Sequence, residues 1–291
     1  MPEQLTAGLW VFPSHAMAYN AGVFLHNGQA LLIDPGTHPD ESAQVGAFVA
    51  ARGAHIVACV LTHSHWDHIL GPERLPPMPL VAQARYPTCT AHDGADILRH
   101  VARWEAKHGY RRARTFAIPQ PERLIGALGR IAVGGAELQL LHIPGHASDQ
   151  LAIYAPDEGW LWAADTLSDR EIPFVSESLA HYEQSLARLT ALPARLLVPG
   201  HGSPARSTAE IAARSANDTA YLTGLRTTIS ATLAAGGDIE AARSACAAIP
   251  LIYAAENRRP HQLNVESVFI ELGGSADPER VGWSQKGLID E

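Results

Sequence analysis

The chain has 291 residues, 46% hydrophobic and 18% charged, with 24 glycines and 20 prolines, which excludes disorder and collagen-like repetition. No apolar run approaches the ~20 residues of a bilayer span, and the opening Met-Pro-Glu-Gln-Leu-Thr lacks the features of a secretory signal, so a cytoplasmic protein with no membrane partner is expected. A formal net charge of −8 argues against a broad nucleic-acid-binding face.

Taken in chain order, short apolar runs bounded by turn residues predict strands at Val23–Leu25, Leu31–Asp34, Ile56–Leu61, Leu138–Ile143, Leu151–Tyr154, Trp160–Ala164 and Leu196–Pro199. Helical faces lie between them. Val45, Phe48 and Val49 form one that Gly53 stops; Ile97, Leu98, Val101 and Trp104 form a second, closed by Gly109; Tyr182, Leu186 and Leu189 form a third. After Gly202 the pattern becomes helical throughout. Ser207–Glu210 reads as a capping box, Leu222, Leu225, Ile229 and Leu233 share a face, and Asp238 caps a further helix. Leu263, Val268, Phe269 and Leu272 mark the last helix before Gly273-Gly274. These textures predict a core over residues 1–206 and a helical extension over 207–291. The three cysteines, Cys59, Cys89 and Cys246, are isolated and form no CxxC pair, so neither a disulfide framework nor a thiolate zinc cage is expected.

Fifteen histidines stand out. In Thr62-His63-Ser64-His65-Trp66-Asp67-His68, directly after an apolar strand, three histidines and an aspartate fall within six positions. Side chains two apart share a face of extended backbone, so His63, His65 and Asp67 point one way, and a turn into helix at Asp67 brings His68 round. Imidazole and carboxylate are the donors that zinc and similar ions accept. Three later segments also put a potential ligand just after an apolar run: His146 in Pro144-Gly145-His146, Asp165 after Trp160–Ala164, and His201 in Pro199-Gly200-His201. Asp34 ends a strand in the same way, and with Thr62 and Ser148 is a candidate to orient ligating imidazoles. The other histidines, His15, His38 and His261 among them, show no partnering pattern and read as surface or packing residues.

These segments resemble the metallo-β-lactamase superfamily, and within it the glyoxalase II-type hydrolases. The His-x-His-x-Asp-His signature is matched by His63, His65, Asp67 and His68, and the later ligands by His146, Asp165 and His201 in the same order, over about residues 20–202. The resemblance implies an α+β fold, an αββα four-layer sandwich, here with a C-terminal helical appendage. It also implies two divalent metal ions at one edge of the paired sheets, zinc first, with iron or manganese as alternatives. His63, His65 and His146 would hold one ion; Asp67, His68 and His201 would hold the other; Asp165 would bridge. Two departures stand out: Ala164 replaces the glycine frequent before the bridging aspartate, and the tail does not match that of glyoxalase II.

Two cations sharing a water supply hydroxide near neutral pH and polarise the electrophile, so no serine or cysteine nucleophile is needed, and no Gly-x-Ser-x-Gly elbow occurs. The expected activity is hydrolysis of a small ester, thioester or lactone, with Asp67 orienting the water and carrying its proton. A phosphodiesterase or nuclease and a single-iron persulfide dioxygenase-like enzyme are the alternatives; a metal-free binding module would have lost ligands. Arg99, Arg103, Lys107, Arg111, Arg112 and Arg114 form the one basic concentration, which suits an anionic small-molecule substrate.

Overall fold

The computed structural model describes residues 1–112 and 114–276; the end of the expected helical extension, 277–291, lies outside the described residues. The chain divides into two compact units, residues 1–142 with 149–164, and residues 143–148 with 165 onward.

The first unit holds a seven-stranded sheet in the order β1 (Glu3–Gln4), β2 (Leu9–Pro13), β3 (Asn20–His26), β4 (Gln29–Ile33), β5 (His55–Val60), β6 (Leu80–Gln83) and β7 (Arg123–Ile125). The β3–β4 hairpin closes through Asn27-Gly28, both at positive φ (44° and 75°), the two-residue turn whose twist matches that of paired strands. From β4 onward the pairs are parallel, and the crossovers carry α1 (Pro39–Ala51) and α2 (Tyr86–His108).

Successive side chains on β3 point to opposite faces. Ala21 and Val23 join Val45 and Val49 of α1 and Ile97, Val101 and Trp104 of α2 in one apolar core. On the opposite face Phe24 meets Trp160 with ring centroids 5.3 Å apart. Gly22 lies so close to Trp162 that a Cβ there would sit 2.7 Å from the indole. The two tryptophans belong to β11 (Trp160–Trp162), in a second, antiparallel sheet with β10 (Leu151–Ala155), β9 (Ala136–His142) and β8 (Leu128–Val133). Helices therefore cover one face of the first sheet and the second sheet covers the other, which is why β3 and β4 read as apolar runs rather than alternating strands.

In the second unit, α3 (Leu179–Thr190) precedes β12 (Leu196–Val198), and then α4 (Thr208–Ala234), α5 (Ile239–Cys246) and α6 (Ala254–Glu271) follow. The expected helix starts are found. The Ser207 hydroxyl accepts from the Glu210 N–H at 3.2 Å, and Asp238 accepts from the Ala241 N–H at 2.9 Å. The Glu210 carboxylate reaches back to the Arg206 N–H, one residue before the cap. Tyr221, Leu222, Leu225 and Ile229 of α4 and Leu263, Val265, Val268 and Phe269 of α6 are buried. Among the described residues no helix is long and apolar enough to cross a membrane.

Candidate metal centre

A first group of candidate ligands stands at the carboxyl ends of β4 and β5. Their parallel register sets Ile33 beside Val60, so the residues that follow, Asp34 and Thr62, meet although 28 positions separate them. The Asp34 carboxylate accepts from the Thr62 N–H (2.8 Å) and hydroxyl (2.6 Å), and from the His68 Nδ1–H (2.8 Å). Burial pushes the Asp34 carboxyl above its ordinary pKa, against the pull of His68 and Thr62. A short 3-10 turn over Trp66–His68 brings His68 back onto His63, with rings 4.1 Å apart, and His65 lies 4.5 Å from His63. Asp67 Oδ2 is 3.6 Å from His68 Nε2. The expected swing of His68 is thus observed, and all four side chains of the signature stand together.

These bonds also fix proton positions. A carboxylate only accepts, so His68 carries its proton on Nδ1 and has its Nε2 lone pair on the side of Asp67. The Thr62 hydroxyl spends its hydrogen on Asp34, so its contact with His63 Nδ1 (3.1 Å) is a bond donated by the imidazole. Asp34 thereby orients two histidines, one directly and one through Thr62.

The remaining candidate ligands, His146, Asp165 and His201, belong to the other unit. His146 follows a turn in which Gly145 adopts φ 135°, where a Cβ would sit 2.3 Å from the Tyr182 Cα, so only glycine fits. The Gly145 carbonyl accepts from Glu177 and Ser178, and His146 Nδ1 donates to the Phe174 carbonyl at 3.1 Å, leaving its Nε2 as the basic nitrogen. Asp165 Oδ2 is 3.4 Å from His146 Nε2 and 3.4 Å from His201 Nε2. One carboxylate oxygen therefore sits between two imidazoles. The Asp165 carbonyl accepts from the Tyr182 hydroxyl at 3.3 Å, and the His201 carbonyl from the Ser168 hydroxyl at 2.7 Å. Ala164, before Asp165, has φ 47°, the left-handed region that explains a preference for glycine there.

Sequence reasoning missed Asp149. It is 1% exposed, faces the hydroxyl and N–H of Ser64 between the first two histidines, and burial outweighs Ser64 to hold its pKa at about 6. An aspartate in Ser148-Asp149-Gln150 carries no spacing signal. The lesser histidines also have partners: His15 Nδ1 lies 3.0 Å from Glu41, His38 contacts Asp40, and the Tyr221 hydroxyl lies 2.9 Å from His261 Nδ1. Within the basic stretch, Arg112 is largely buried against Glu73 and Glu105, whereas Arg111 and Arg114 border a cleft of about 460 Å³ with Leu98 and Phe116.

A family model described as the metallo-beta-lactamase superfamily matches residues 16–201, and the chain belongs to that superfamily. A hydroxyacylglutathione hydrolase from Xanthomonas euvesicatoria pv. vesicatoria (strain 85-10) is 29% identical over 173 residues, 59% of this chain and 55% of that protein. The chain thus spans about half the length of the curated relatives it matches. Among solved structures, a metallo-beta-lactamase from Pontibacter korlensis matches with TM-score 0.57 at 16% identity, over 74% of this chain and 97% of that one. The stereoselective inverting sec-alkylsulfatase Pisa1 from Pseudomonas sp. matches with TM-score 0.69 at 16% identity, over 96% of this chain and 51% of that one. At these identities the likeness establishes the fold, the αββα sandwich of the metallo-β-lactamases, here followed by C-terminal helices.

Proposed function

We propose that the chain is a dinuclear metal-dependent hydrolase of small esters, thioesters or lactones. One observation carries the reading: a single Asp165 oxygen at equal distance from His146 Nε2 and His201 Nε2, the arrangement a bridging carboxylate requires. The donor set fits divalent ions, because each imidazole with a resolved Nδ1 partner presents Nε2, and the two carboxylates supply negative charge. On this reading His63, His65 and His146 would hold one ion, Asp67, His68 and His201 the other, and Asp165 would serve both. Zinc suits this nitrogen-rich set first.

When bound, such ions would lower the pKa of a coordinated water and polarise the acyl oxygen of the substrate. Asp67 then acts as the proton carrier. It stands beside His68, and its carboxylate takes the proton of the attacking water and delivers it to the leaving group. Asp34 and Thr62 keep His68 and His63 in the tautomer that leaves Nε2 basic. The substrate is a small acyl compound with an anionic group, drawn by Arg111 and Arg114. The hydroxyacylglutathione hydrolase relatives support a thioester as the first member of the class. Free, isolated cysteines support a reducing, cytoplasmic compartment.

The test is a hydrolysis panel of thioesters, lactones and phosphodiesters before and after chelation. The expected result is thioester or lactone cleavage that chelation abolishes and a divalent ion restores. Cleavage confined to phosphodiesters, or acyl cleavage indifferent to chelation, would contradict the reading.

A further inference from the structure

Leu167, two residues beyond Asp165, has φ 61° and is 1% exposed. With Ala164 at φ 47°, Asp165 sits between two non-glycine residues in the left-handed region. A leucine there is strained and persists only where its surroundings hold it.

What holds it is α4, which begins C-terminal to residue 201, where the superfamily match ends. Arg214 and Asp218 are one helical turn apart on the same face of α4. Asp218, 4% exposed, accepts the Leu167 N–H, and Arg214 Nη1 donates to the Leu167 carbonyl at 3.2 Å. Both polar groups of the strained residue are therefore taken by one helix. Arg214 Nη2 also lies 3.5 Å from Asp169 Oδ2, and the other oxygen of Asp169 accepts the Ser203 N–H at 2.7 Å. Between them, the Ser168 hydroxyl donates to the His201 carbonyl and accepts from the N–H groups of Arg170 and Glu171, each at 3.0 Å. The turn after Asp165 is thus bonded to the segment bearing His201 on one side and to α4 on the other.

We propose that Asp218 and Arg214 are positioning residues of the metal centre: they clamp the Leu167 turn, and so set how Asp165 and His201 are presented to an ion. The clamp rests on the metal reading above. It makes the helical extension part of the frame of the site. A carboxylate required to bridge must be held to a fraction of an ångström, and the strained Ala164 and Leu167 on either side of Asp165 relax once released.

Cobalt titration of the metal-stripped full chain tests this, followed by the visible absorption of the bound ion and by competition with a chelator. Asp218→Ala is expected to weaken the Co²⁺ site that His201 serves by about 10- to 100-fold and change its absorption band, and to weaken the other site by a smaller factor through the shared Asp165. Asp218→Asn keeps an oxygen that accepts the Leu167 N–H and should restore binding to within about threefold of the parent. Leu225→Ala, in the buried face of α4 away from the turn, should lower the melting temperature while leaving both Co²⁺ affinities unchanged. If Asp218→Ala does not fold, Arg214→Gln, which frees the Leu167 carbonyl, carries the same expectation. Parent-like cobalt binding in Asp218→Ala or Arg214→Gln would overturn the clamp. So would an equal loss in Leu225→Ala, which would mark the effect as general loosening. A parent chain that binds no cobalt would overturn the metal reading itself, and the clamp with it.

Discussion

The Nδ1 of His68 lies 2.8 Å from Oδ2 of Asp34, with both side chains fully buried. A buried imidazole–carboxylate pair of this kind fixes a ring and a tautomer, and its loss leaves a polar atom with no water to turn to. Asp34→Ala is therefore expected to weaken metal binding by about 10- to 100-fold, through His68 directly and through Thr62 and His63 indirectly. Chelator competition reads the effect, and unchanged affinity would remove Asp34 from the account.

Asp67→Asn keeps the shape of the side chain and removes its ability to take a proton. The maximal hydrolysis rate is expected to fall by about 10²- to 10⁴-fold, with the ion held by His63, His65 and His146 retained. Single-turnover hydrolysis in heavy-oxygen water checks the rest of the scheme: labelled oxygen appears in the first product and intact-protein mass shows no acyl adduct.

Asp149 sets a pH dependence. Its folded pKa of about 6 stands above the ordinary 3.8, so the folded state binds its proton more tightly than the unfolded chain does. Its favourable contribution is complete below about pH 4 and is lost as pH rises to about 6, on the order of 3 kcal/mol at about 1.4 kcal/mol per pH unit. Asp149→Asn does not titrate. Its melting temperature should move up relative to the parent across that window and hold a constant offset above it. A difference that does not vary with pH would show that Asp149 does not titrate there.

Ala164→Gly reverses the usual direction of such a change. At φ 47° alanine bears the left-handed penalty of roughly 1–2 kcal/mol, which exceeds the roughly 0.5–1 kcal/mol that glycine costs in chain entropy. The variant should gain about 0.5–1 kcal/mol in denaturant unfolding; a loss would show that neighbouring packing dominates.

The parts of the fold that were legible in the sequence are those where burial imposes a pattern. β3, β4, β10, β11 and β12 are interior runs of apolar residues, and β5 and β9 carry buried apolar stretches between polar positions; each contains a predicted strand segment or most of one. β1, β7 and β8 are not visible in that way, because Glu3, Gln4, Arg123, Leu124 and Leu128 are exposed and only backbone pairing makes them strands. The ligand-capable residues were legible because each lies in the turn just after a strand end, although most of their side chains are buried. Asp149, Arg214 and Asp218 were not, because their partners Ser64 and Leu167 lie far off in sequence and no local periodicity encodes such a meeting.

The most direct test of the central claim is the metal-to-protein ratio of the chain purified from metal-replete cells, set beside that of Asp165→Ala. The account predicts two divalent ions per chain in the parent and a larger loss in Asp165→Ala than in His65→Ala, because one carboxylate serves both ions. Less than one ion in the parent, or full metal content in Asp165→Ala, would contradict it.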